Sequence, residues 1–141
     1  MVFNENHPDT PEAEQEGNLK HGINGLLFGN LRGLEMAEGE RVRWYIVALG
    51  SEMDLHTAHW HGETVTEESG QNTDVIEVLP ASMRVADMVA DNPGTWIFHC
   101  HVADHMMAGM YTTYTVAPRS PPPRPPAGKS PASGKGPISR R

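Results

Sequence analysis

The chain has 141 residues, room for one domain with a real core and too few for two full ones. Hydrophobic residues make up 38%, and no apolar run approaches the ~20 residues of a membrane-spanning helix, so no membrane span is expected. The net charge of −7 is unevenly placed: from Arg119 onward there are six basic residues and no acid, which leaves five Lys/Arg against eighteen Asp/Glu before it. So acidic a body argues against nucleic acid as a partner and favours cations, metal ions among them.

Along the chain, residues 1–20 are polar and acidic. The first six carry neither the basic start nor the apolar stretch of a secretory leader. The segment "NENHPDTPEAEQEGN" is expected to be a loop. Short β-type runs follow: "INGLLF", "GLEMA", "RVRWYIVAL", "MDLHTAHWH", "TDVIEVL", "MRVADMVA", "TWIFHCH" and "MYTTYTV", punctuated by Gly, Pro, Asn and Asp. Even spacing, β-branched and aromatic enrichment and no long helical period predict an all-β sandwich with Greek-key connections over residues 21–117. Within it "VADHMMAG" suits one short helical turn. Residues 118–141, "APRSPPPRPPAGKSPASGKGPISRR" with its preceding Ala, are dense in Pro, Gly, Ser and basic residues. They are expected to stay disordered or polyproline-like. A single cysteine excludes an internal disulfide, so the redox compartment cannot be read from pairing.

That cysteine lies in "GTWIFHCHVADHMMAGM", residues 94–110, with three of the eight histidines and three of the eight methionines. Successive side chains of a strand point to opposite faces. In "FHCH", His99 and His101 therefore share one face and Cys100 takes the other. His105 and Met110 follow Cys100 at intervals of five. A thiolate, imidazoles and a weak thioether are the ligands of a blue-copper electron-transfer site, and a Met ligand suits copper better than zinc. The second imidazole is available in "DLHTAHWHGE". There His59 and His61 share a face, while His56, an odd number of residues away, can turn toward Cys100. The residues thus divide into two sets. His56, Cys100, His105 and Met110 would hold one copper; His59, His61, His99 and His101 form a separate patch of four imidazoles. Single histidines are ordinarily satisfied polar groups, but two interlocking motifs of matching parity are not explained that way.

Here the sequence resembles the multicopper oxidases. "HTAHWHG" and "HCHVADHMMAGM" look like the two copper motifs of that family's last cupredoxin domain. "HGINGLLFGNLRGLEM" and "RVRWYIVALGSEMDLHTAHWHG" resemble, in order and spacing, the copper-bearing terminal domain of ceruloplasmin-like ferroxidases. "VFNEN" looks like the strand that precedes this domain. The likeness covers residues 21–117 and implies a cupredoxin fold, type 1 copper at His56, Cys100, His105 and Met110, a type 2 ligand at His59, and type 3 ligands at His61, His99 and His101. It implies electron flow from a reducing substrate through type 1 copper to a trinuclear cluster that reduces O2 to water. It also implies an extracytoplasmic or secreted setting, although no leader is visible. Glu63 stands where many relatives have a further His, a position that is not usually a ligand.

A family cluster takes eight histidines from two domains and this chain supplies four, so another subunit or a partner domain is expected to complete it. Two copies meeting through the His patch about a two-fold axis would do so. The resemblance further implies an iron site of Glu16, His21 and Asp104, with Glu52 reaching a neighbour's iron in a head-to-tail contact; together these demands suggest a trimer-based homo-oligomer. Fe(II) suits carboxylates with some imidazole. The alternatives are a single-copper electron-transfer cupredoxin, a laccase-like oxidase of small phenols, and a C-terminal piece of a longer oxidase. A plain electron carrier gives no reason for the second set of histidines.

Overall fold

A computed structural model describes residues 2–4, 6–49 and 55–120, of which 2–4 and 16 are described by their backbone alone. In chain order the elements are β1 (Val2–Asn4), α1 (Glu12–Gln15) running into a 3-10 turn (Glu16–Asn18), β2 (Leu19–His21), β3 (Glu35–Ala37) and β4 (Arg41–Val47). Then come β5 (His56–Trp60), β6 (Val65–Glu67), β7 (Asn72–Thr73), β8 (Val75–Val78), β9 (Met83–Val89), β10 (Gly94–Cys100), α2 (Ala103–Met107) and β11 (Tyr111–Ala117). Five strands form one sheet in the order β3-β11-β10-β5-β8, and four form a second in the order β4-β9-β6-β7. β3 runs parallel to β11, the other pairs are antiparallel, and β1 pairs with β2 apart from both sheets.

The core lies between the two sheets, as expected where each strand has one apolar face. In β4, Val42, Trp44 and Ile46 turn inward while Arg41, Arg43, Tyr45 and Val47 stay exposed. Trp44 crosses the interior to Trp60, Phe98 and Tyr114 on the facing sheet, with ring centroids 5.7, 5.3 and 5.9 Å away. Burying aromatic rings of this size is worth roughly 2–3 kcal/mol each, so this cluster helps to tie the sheets together.

Some expectations fail locally. "INGLLF" is not a strand. Ile23 and Leu26 bond each other in both directions across Asn24 and Gly25, which have φ of 49° and 81°. Positive φ at both central residues is the two-residue hairpin turn favoured by Asn-Gly. The N-terminal loop contains the turn of helix α1, β6 lies in a stretch not read as strand, and β7 only touches the start of "TDVIEVL" at Thr73. The short helix at "VADHMMAG" is α2.

Candidate metal centre

The site is set by the pairing of β10 with β5. Phe98 lies opposite Trp60, His99 opposite His59, and Cys100 opposite Ala58. Directly opposed residues share a face. Cys100 therefore faces the side of Ala58 and, two residues back, His56. His99 faces the side of His59. One strand pair thus feeds two separate clusters.

On the Cys100 side, His56 Nδ1 and His105 Nδ1 are 3.1 Å apart, and Cys100 Sγ lies 3.9 Å from the first and 3.6 Å from the second. The point equidistant from these three donors is about 2.1 Å from each, within the range of metal–nitrogen and metal–sulfur bonds. All three side chains converge before any ion is considered, and the donor set fits a copper ion. Helix α2 delivers His105. The loop after it is closed by Met110 N–H donating to His105 O (3.0 Å) and Cys100 N–H donating to Met110 O (3.0 Å). Met110 is buried and lines a cavity of about 160 Å³ together with His56 and Cys100. Thr57 N–H points at Cys100 Sγ from 3.4 Å. A donor to a ligand sulfur tunes the potential of such a centre, and sequence reasoning passed over this residue.

On the other face, His99 Nε2 lies 3.1 Å from His59 Nδ1 and 3.0 Å from His61 Nε2. The rings of His59 and His99 lie 5.0 and 5.4 Å from that of His101, which is exposed beyond the end of β10. His99 Nδ1 is 2.8 Å from Cys100 O. A carbonyl can only accept, so Nδ1 carries the proton and Nε2 offers its lone pair to the cluster. This is the usual second bond of a metal-binding histidine. Burial first, and neighbouring imidazoles second, hold both His59 and His99 below the ordinary histidine range. The neutral rings they favour are the form that binds metal.

The segment carrying His59 and His61 is clamped from behind by groups that composition alone did not mark. Glu63 is buried, and its Oε1 accepts the N–H groups of Asp91 (3.0 Å) and Asn92 (2.9 Å). Asn92 Nδ2 donates to Gly62 O (2.8 Å), and Tyr114 Oη donates to His61 O (2.5 Å). Burial pushes the Glu63 carboxyl above its ordinary range against the pull of its two backbone donors.

Of the residues expected at an iron site, His21 is buried with its ring stacked on His105, centroids 4.0 Å apart. Asp104 is exposed in the first turn of α2, next to His105. Glu16 opens the 3-10 turn with its side chain outside the description, and Glu52 lies outside the described residues.

A sandwich carrying two interleaved His/Cys clusters matches the family model described as multicopper oxidase over residues 3–120. The chain belongs to that family, whose metal is copper. Among named relatives it is 51% identical over 111 residues to hephaestin of Homo sapiens, covering 77% of this chain and 10% of that protein. It is 42% identical over 138 residues to ceruloplasmin of Rattus norvegicus, covering 84% and 13%. A ferroxidase of Mus musculus is 46% identical over 104 residues, covering 72% and 9%. The chain thus spans about a tenth of the length of the hephaestins it matches. Among solved structures, one titled crystal structure of multicopper oxidase superposes with a TM-score of 0.68 at 19% identity, over 82% of this chain and 41% of that one. The blue copper oxidase from Nitrosomonas europaea superposes with a TM-score of 0.62 at 21% identity, over 70% and 35%. These establish the cupredoxin-like fold.

Proposed function

We propose that residues 21–117 form the copper-bearing unit of an oxidase that takes electrons from a reducing substrate, Fe(II) first, and delivers them to O2, with the second cluster completed by another subunit or domain. The observation that carries this reading is the parity of β10. His99 and Cys100 are adjacent on one strand yet serve opposite clusters, so the backbone between them is the shortest covalent route from one to the other. When bound, copper supplies one-electron redox chemistry at the first set and O2 reduction at the second. The chain's own part is to hold the donors: Thr57 N–H steadies the thiolate, the Cys100 carbonyl fixes the His99 tautomer, and Glu63 secures the His59–His61 segment.

Iron is favoured over a phenol because the resemblance gives Glu16, His21, Asp104 and a neighbour's Glu52 as an iron site, and of these His21 stacks on His105 and Asp104 precedes it on α2. The name of one relative, a ferroxidase, supports the same choice. A single-copper electron carrier leaves the three convergent nitrogens of His59, His61 and His99 without a use. Copper content and solution mass are the deciding measurements. Copper-loaded protein should be blue, Cys100→Ser should be colourless, and the assembly should hold more than one copper per chain. His59→Ala and His101→Ala should stop O2 consumption and leave the blue band. A monodisperse monomer with a single copper and no O2 consumption would hand the case to the electron carrier.

A further inference from the structure

We propose that His21 is a positioning residue of the Cys100 cluster: its ring lies flat on His105 and holds that imidazole where its Nδ1 meets Cys100 and His56. His21, His56 and His105 each offer a nitrogen within 4.8 Å of the others, which by proximity alone would suggest a site of three imidazoles. The ring planes argue otherwise. The lone pair of an imidazole lies in the plane of its ring, so an ion must sit near the planes of all its ligands. His56 and His105 are tilted by 57°, so their planes cross and their Nδ1 atoms converge. His21 and His105 are within 14° of parallel, with centroids 4.0 Å apart. Planes stacked face to face do not meet at one ion. His21 is therefore not a third ligand to the ion that His56 and His105 hold.

The stack does something His105 needs. That residue sits on a helix of five residues whose N-cap makes no side-chain hydrogen bond. The torsion that turns an imidazole about its own axis is soft and broad. A buried ring lying on it removes that freedom. His21 is itself anchored, since its N–H donates to Ala108 O (3.2 Å), tying the end of β2 to the loop between His105 and Met110. Both rings are buried, so the contact is not softened by solvent. This role belongs to the face of the ring and is separate from anything its nitrogens hold.

The copper part of the test rests on the function proposed above; the metal-free part does not. In the metal-free protein, the carbon-bound ring protons of His105 should show an upfield ring-current shift by NMR. His21→Phe should keep that shift, while His21→Leu, of similar bulk without a ring, should lose it. In the copper-loaded protein, His21→Phe should retain the visible band and release copper to a chelator at the native rate. His21→Leu should move the band and release copper about 2–10-fold faster, the range set by the strength of aromatic pairs. Ordinary His105 shifts in the native protein, or Phe and Leu variants that behave alike, would overturn the proposal. Native protein that binds no copper would sink the copper reading, and the NMR comparison would still decide the stack.

Discussion

Glu63 shows how one side chain can matter without touching a metal. It is buried, and one oxygen accepts two backbone N–H groups from the loop at Asp91 and Asn92. Those bonds need an acceptor, not a charge. Glu63→Gln keeps the acceptor and removes the cost of a buried carboxylate, so its unfolding temperature should equal or exceed the native one. Glu63→Leu removes the acceptor of both N–H groups and should destabilise the fold by about 1–3 kcal/mol. Denaturant unfolding of the two variants checks this, and equal destabilisation by both would show that the charge itself is required. At this scale the donor atoms were legible in the sequence, because parity assigns His56 and Cys100 to one face and His59 and His99 to the other. Glu63 and Thr57 were not. Their roles depend on a loop and a strand brought close only by folding.

Among elements, the strands most legible in the sequence were those with one buried face. β4 and β11 alternate cleanly, and their spacing alone indicates the inward residues. β6 and β7 are three and two residues long and largely polar. They exist through their pairing, β6 with β9 at Thr66–Asp87 and Glu67–Ala86, so no local pattern announces them. In "INGLLF" the apolar content argued for a strand while Asn24-Gly25 argued for a turn, and the turn chemistry won. The turn leaving β5 is equally exacting. Gly62 has φ of 77°, and a Cβ placed there would meet Trp96 at 2.2 Å. Trp96 cannot simply move, because its Nε1 donates to Asn92 O. Gly62→Ala should therefore cost about 2–4 kcal/mol through backbone strain and overpacking. Urea unfolding at native stability would show that Trp96 is free to yield.

For the whole molecule, the second cluster makes stability depend on pH when no metal is bound. Burial lowers the His59 and His99 values, so just below the ordinary histidine value of about 6.5 the unfolded chain takes protons that the folded chain refuses. Stability should fall as pH drops through that window and level off below the lowered values. Glu63 acts with the opposite sign, since its raised value lets the folded form take the proton first. Metal-free Glu63→Gln should therefore lose stability more steeply on acidification than the native chain. Denaturant midpoints compared between about pH 7.5 and 5.5 test both statements, and a Glu63→Gln midpoint that falls no more steeply than the native one would contradict them. The order of strands within each sheet and the parallel contact of β3 with β11 were not legible, because they depend on which edges meet rather than on any local run of residues.

The register of β10 against β5 has a consequence for how such a chain can change length. Because side chains alternate, adding or removing one residue within either strand would carry every donor beyond that point to the opposite face. His59 would leave His99, or Cys100 would leave His56, and both clusters would fail together. Substitution can therefore adjust these strands one position at a time, but single-residue insertion cannot. Growth in length is confined to joints such as Glu67–Asn72, where Gly70 turns the chain outside the β5–β10 pair. The two strands behave as a reading frame, and the two sets of converging side chains are what a shift of that frame would scramble.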